Sequence, residues 1–211
     1  NLREPGRSDG WNPLMLARKY FRDGDAERGT AVVNDFAATM GLSGSLREAA
    51  RTAVSDTETP IDVGLFHPVG LNHRPARYFT YIANIQPRHA VFDLPDGRRI
   101  EGDFAFGAVT NTTSAGGVLK LPSDRVSLSD GYLELFLIHM PKTPLDLQKI
   151  ATALMAQDFA GCPLIELHHI KAVRVLLDDN LSWSLDGAEA LGGKRVEIKC
   201  LGGGVRLKTP K

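Results

Sequence analysis

Asp186 and Glu189 are two carboxylates three residues apart, set around a turn in the run Ser182-Trp183-Ser184-Leu185-Asp186-Gly187-Ala188-Glu189-Ala190-Leu191-Gly192-Gly193. An apolar, strand-like stretch precedes the turn and another follows it. Such a turn presents acidic side chains at the lip of a sheet, where a carboxylate can take a proton from a hydroxyl. Asp-Gly between apolar runs is also the commonest signal for a short hairpin, so a plain surface turn is the competing reading. Other polar residues invite the same double reading. Asn34 and Asp35 stand at the start of an apolar helical stretch, where either caps the helix and the free amides favour an anion. His168 and His169 are adjacent in a strand-like run and point to opposite faces, so they cannot chelate one ion together. One is expected to be packed and the other exposed. Trp183 reads as core.

The elements that must position these groups follow from periodicity and punctuation. In the first 28 residues, Asn12 and Pro13 open a short helical pattern through Phe21. Residues 33–42 read as a helix stopped by Gly41, and 45–54 as a second with Ser45 and Glu48 in capping-box spacing. From residue 60 the chain turns to strands: 60–66, 77–84, a hairpin of 90–94 and 98–109 around Pro95-Asp96-Gly97, and 132–140. Further strands are expected at 166–176, 182–185, 195–201 and 205–207. Between them, Leu145, Ile150, Leu154 and Phe159 approximate one helical stripe over 145–159, just after Pro144. The expected fold class is α+β: a β-rich antiparallel sandwich or split barrel with a short helical N-terminal part.

Composition narrows the functions. At 211 residues the chain is long enough for a sizeable core, and its 43% hydrophobic and 24% charged residues are those of a globular protein. Lys plus Arg is 25 and Asp plus Glu is 25, so no global field attracts nucleic acid or an anionic membrane. Cys162 and Cys200 form no CxxC pair and have no nearby His at metal spacing, which makes a reduced, cytoplasmic chain the expectation. No apolar run reaches the length of a membrane span, and no signal peptide opens the sequence.

Taken in order, several segments resemble the diacylglycerol kinase-like lipid kinases, the superfamily that includes sphingosine and ceramide kinases. They are Asn34-Asp35-Phe36-Ala37 with Met40-Gly41-Leu42, Ile61-Asp62-Val63-Gly64, and Arg77-Tyr78-Phe79. Asn111 with Gly116-Gly117, Asp130-Gly131-Tyr132-Leu133-Glu134-Leu135, Asp186-Gly187, and Gly203-Gly204-Val205-Arg206-Leu207 complete the series. The resemblance runs over residues 29–210. It departs from the family in four places. The family's Gly-Gly-Asp-Gly-Thr nucleotide loop is not in the sequence. Gly29-Thr30 is separated from Asn34-Asp35 by three residues where the family places one. The helical excursion usual between positions 85 and 86 is missing, and Ala188 separates Gly187 from Glu189 where the bacterial pattern is Asp-Gly-Glu.

The resemblance implies an ATP-dependent lipid kinase that phosphorylates a hydroxyl of diacylglycerol or a similar lipid, with Mg²⁺. This chain would carry mainly the β-rich substrate domain. Residues 1–28 are then a poorly defined N-terminal segment, 29–59 a helical connector left from the α/β nucleotide-binding side, and 60–211 the C-terminal domain. The expectation includes segments missing before Asn34 and between Ile85 and Gln86. Asp186 matches the family's base for the lipid hydroxyl, and Glu189 joins it if Ala188 forms a bulge. Gly29, Thr30, Asn34 and Asp35 would face the nucleotide. Asp124 and Asp130, with carbonyls of 122–131, resemble a loop that holds a structural Mg²⁺ in some bacterial members, though Ser129 replaces the second adjacent Asp and a simple turn is the alternative. The implied partners are the lipid and transiently the inner face of the membrane, with no nucleic acid and room for a homodimer. Two other functions stay open: a non-catalytic lipid- or nucleotide-binding module of the same fold, and a distant NAD kinase relative.

Overall fold

The structure, a computed structural model, describes residues 46–208 apart from 56, 72–75, 85–86, 116–118 and 123–124. The expected helices at 13–21 and 33–42 therefore lie outside the described residues. The first described element is helix α1 (Leu46–Ala53), with Glu48 in its first turn and Arg51 in its last, the charge order a helix dipole favours.

Nine strands form one antiparallel sheet. Strand β1 (Glu58–Pro68) is followed by β2 (Arg77–Phe79), β3 (Tyr81–Asn84), β4 (Arg88–Asp93) and β5 (Arg99–Thr110). After a small ribbon of β6 (Ser114–Ala115) and β7 (Leu119–Lys120) come β8 (Leu133–His139), helix α2 (Pro144–Ala156), β9 (Ile165–Ile170), β10 (Ala172–Leu185) and β11 (Ala188–Lys208). The order across the sheet is β2-β1-β11-β10-β3-β5-β8-β9, with β4 also between β5 and β10. Ser184 pairs with Ala83, and Arg174 to Leu177 pair with Asp93 to Ala90. One register therefore serves both, and β3 and β4 are two halves of one interrupted strand. The β-rich antiparallel class expected from the sequence is the observed one.

The sheet curls so that one face closes on itself. Leu133, Leu135 and Leu137 of β8 meet Phe66, Phe104, Val175 and Ile198 in the larger core. The alternate β8 residue Phe136 points the other way, against Ile150 and Ala153 of α2 and against Phe159. Burial on both faces explains why residues 132–140 read as a continuous apolar run instead of an alternating one. Trp183 is 6% exposed and meets Phe66 edge-on, so it is core as expected. Gly192 makes room for its indole: a Cβ there would fall 2.2 Å from Nε1.

Four local expectations are corrected. The strand expected at 77–84 breaks at Thr80 into β2 and β3, because the Thr80 amide and hydroxyl are drawn to a distant carboxylate described below. The separate strands at 195–201 and 205–207 are one long β11, paired first with β10 and then with β1. The strand expected at 166–176 divides at Lys171 into β9 and β10. Helix α2 starts at a capping box formed by Thr143 and Asp146 and ends at Ala156, where Gln157 turns left-handed with φ 55°. Its buried stripe is Ile150 and Ala153, while Leu145 is 57% exposed: the turn that begins at the cap stands off the sheet.

Candidate active site

The β10–β11 hairpin closes through two residues. Leu185 pairs with Ala188, leaving Asp186 (φ 46°) and Gly187 (φ 80°) as the loop, both left-handed. That is the type I′ geometry whose twist suits a right-twisted hairpin, and Asp is among the few residues other than glycine that tolerate it. The local sequence thus builds the turn, and the tertiary fold gives its side chain a destination.

Asp186 is 6% exposed. Its Oδ1 accepts hydrogen bonds from the Thr80 hydroxyl at 2.7 Å, the Tyr81 amide at 2.8 Å and the Thr80 amide at 3.1 Å. Among the described residues its Oδ2 shares only the Thr80 amide, at 3.1 Å. In return the Asp186 amide donates to the Tyr81 carbonyl at 2.8 Å. The hairpin tip and the break between β2 and β3 are therefore clasped together. Oδ1 is saturated, while Oδ2 retains lone-pair capacity. Burial raises the Asp186 carboxyl to about 6, against the opposing pull of the Thr80 and Tyr81 hydrogen bonds and the Arg77 charge. A carboxylate with one open oxygen and a raised pKa is suited to taking a proton near neutrality.

Glu189 is placed differently. It pairs with Ser184 in an unbroken ladder from the loop, so Ala188 forms no bulge. Ala188 is buried and Glu189 is exposed on the opposite face, its Oε1 accepting from the Ser182 hydroxyl at 2.7 Å. The two carboxylates do not converge. Beside the hairpin, Arg77 Nη1 donates to the Glu189 carbonyl at 3.0 Å. Behind it, the curved sheet holds a small apolar cavity lined in part by Phe92, Phe104, Leu135, Val175, Leu181 and Trp183, with about 30 Å³ of room for a water-sized occupant.

Of the remaining sequence candidates, Gly29, Thr30, Asn34, Asp35 and Asp124 lie outside the described residues. Asp130 is described. Its Oδ1 accepts from the Tyr132 amide at 3.0 Å, and its Oδ2 is 3.4 Å from His169 Nε2. No group of three or more His, Cys, Asp or Glu side chains among the described residues converges as a metal site.

Sequence reasoning missed a second polar centre on the outer face of β8. Glu134 is 1% exposed, with Oε1 3.1 Å from His169 Nδ1, while Oε2 has no hydrogen-bond partner among the described residues. Burial raises its carboxyl to about 7, opposed chiefly by the His169 hydrogen bond and charge. Nearby, the Asp62 carboxylate accepts from the Gly203 amide at 2.6 Å and the Gly131 amide at 2.5 Å, tying β1, β11 and the loop before β8 together. The Asn111 side-chain amide adds bonds to the Asp62 and Leu128 carbonyls. His168 and His169 do face apart as expected: His168 bonds Glu166 at 2.6 Å, and His169 stacks on Tyr132. Thr80 and Arg77 carried one faint signal, a polar break in an otherwise apolar strand directly after Arg-Tyr-Phe.

Solved structures share this architecture. A Bacillus anthracis str. Sterne protein assigned as a diacylglycerol kinase superposes with a TM-score of 0.67 at 17% identity, over 88% of this chain and 73% of its own. A second structure so assigned from the same organism gives 0.67 at 16%, over 88% and 74%. A third, described as a diacylglycerol kinase of that organism, gives 0.61 at 16%, over 97% and 83%. The chain has the fold of these proteins, and its β-rich part is the part described here. No protein-family model and no curated protein matches the sequence. No helix among the described residues is long and apolar enough to cross a membrane.

Proposed function

We propose that this chain is the acceptor-binding part of an ATP-dependent lipid kinase acting on the hydroxyl of diacylglycerol or a similar amphipathic alcohol. The observation that carries this reading is Asp186: a buried carboxylate, clasped through Oδ1 and open at Oδ2, at the rim of a sheet that encloses an apolar interior. In this role Oδ2 takes the proton of the lipid hydroxyl as its oxygen attacks the γ-phosphorus of ATP, and the clasp holds the carboxylate in line. Glu189 faces away and stays outside the reaction in this proposal. The Mg²⁺ that accompanies ATP belongs to the co-substrate. Gly29, Thr30, Asn34 and Asp35 remain the residues proposed to face the nucleotide, with the connector and the C-terminal domain divided near residue 59.

The cavity is far smaller than an acyl chain, so the tail is admitted only when strands part. Leu181 and Trp183 of β10 line the cavity. Contact with the cytoplasmic face of a membrane follows from a lipid substrate.

The test is transfer of radiolabelled phosphate from ATP to a panel of diacylglycerol, sphingosine, ceramide, undecaprenol and NAD, for the parent protein and Asp186→Asn. Transfer to a lipid alcohol that Asp186→Asn lowers by about 10²–10⁴ supports the reading. The alternative is a lipid-binding module of the same fold without transfer. Saturable lipid binding with no labelled product from any acceptor would establish that instead.

A further inference from the structure

Among the described arginines that are not exposed, two have a carboxylate within ion-pair range: Arg88 lies 3.9 Å from Asp179, and Arg195 lies 3.0 Å from Glu197. Arg77 is the third, and among the described residues it has none. Its one hydrogen bond among the described residues is to a neutral acceptor, the Glu189 carbonyl, at 3.0 Å. A guanidinium carries five donors in a planar fork, so most of this fork is unspent. None of its nitrogens is a buried atom without a partner, so the unspent donors stay open to solvent and to an incoming anion. Burial lowers the Arg77 pKa from its ordinary value, while the Asp186 charge pulls it back up. The guanidinium is fixed to the β11 arm of the same hairpin whose tip carries Asp186, three residues before the Thr80 clasp. It therefore sits beside the open carboxylate without closing on it.

We propose that Arg77 is an anion receptor at this site and that its ligand is a phosphomonoester, the phosphoryl group carried by the lipid product. This rests on the lipid-kinase reading above for the identity of the ester, though the anion site itself does not. The geometry also gives the pair a shared role. When the hydroxyl proton passes to Asp186 and its oxygen forms the new bond to phosphorus, ADP leaves and the carboxyl becomes neutral. The attraction of Arg77 for Asp186 is released at the moment the phosphoryl oxygens need a cation. Charge-assisted, bidentate bonding of the fork to two phosphoryl oxygens is the expected contact.

The experiment is binding, not turnover. Inorganic phosphate, dioctanoyl phosphatidic acid and dioctanoylglycerol are titrated into the full chain at pH 7.5, with the Arg77 side-chain N–H signals followed by NMR. Arg77→Gln is expected to weaken the phosphatidic acid by about tenfold or more and Arg77→Lys by less, because lysine keeps the charge and loses the fork. Dioctanoylglycerol should bind all three proteins alike. Asp186→Asn should tighten phosphate, since a neighbouring negative charge is removed. If phosphatidic acid binds Arg77→Gln within about twofold of the parent, the receptor role is overturned. It also falls if neither phosphate nor phosphatidic acid moves the Arg77 signals. If phosphate moves them but neither lipid binds better than phosphate alone, the anion site stands and the lipid-kinase reading fails.

Discussion

Replacing Asp186 by Asn should change the pH dependence of folding more than it changes the fold. The carboxyl lies at about 6 in the native protein against an ordinary 3.8, a rise of about two units caused by burial. A raised acid pKa means that the native state holds a proton the unfolded chain has already lost. Native stability is thus fully present below about pH 4 and declines as pH rises towards and through 6. By linkage the loss approaches 3 kcal/mol at pH 7.5, of which about 2–3 kcal/mol falls between pH 4 and 7.5. Asparagine cannot ionise, and its carbonyl can occupy the Oδ1 position and keep the bonds from Thr80 Oγ1 and Tyr81 N. Its amide replaces Oδ2, which has only the shared Thr80 amide to lose. The lost bond should cost about 1 kcal/mol at pH 4, where both side chains are neutral. At pH 7.5 the variant should equal or exceed the parent. The assay is urea unfolding of both proteins at half-unit steps from pH 4 to 8. Groups shared by both, Glu134 among them, cancel in the difference. Parallel stability curves, with a difference constant to about 0.5 kcal/mol, would refute the claim that Asp186 is buried with a raised pKa.

Two further outcomes follow from the clasp and its neighbours. Thr80→Val is nearly isosteric but deletes the 2.7 Å hydroxyl bond to Asp186; it should cost about 1.5–3 kcal/mol at pH 7.5 and push the Asp186 carboxyl higher still, which a ¹³C titration of that carboxyl reads directly. Gly64→Ala would place a Cβ 2.2–2.6 Å from the Phe79 ring. The ring must move, so a loss of about 1–3 kcal/mol in thermal or chemical denaturation is expected, with disturbance of the adjacent Thr80, and an unchanged melting temperature would show that the close approach is not there.

Much of this protein was legible in its sequence because the deciding interactions are short-range. The Asp96-Gly97 turn sets the β4–β5 hairpin, and Asp186-Gly187 sets β10–β11; left-handed backbone is needed at Asp186, Gly187 and Gly97, and few residues other than Gly, Asn and Asp accept it. Strand alternation alone placed His168 and His169 on opposite faces. The direction of Glu189 was conditional on a bulge, and a two-residue loop in unbroken register settled it towards solvent. What the sequence left open is long-range. Nothing local says that the Asp186 carboxylate meets Thr80, a partner 106 positions away, or that this meeting breaks a strand. Nor does it say that Leu145 would stand off the sheet while Ile150 packs on it, or that Arg77 would lack a carboxylate among the described residues where other half-buried arginines have one. Local pattern fixes which backbone a segment adopts and which way its side chains alternate. Which charges lose water, and what they meet when they do, is decided only when distant strands share one curved sheet.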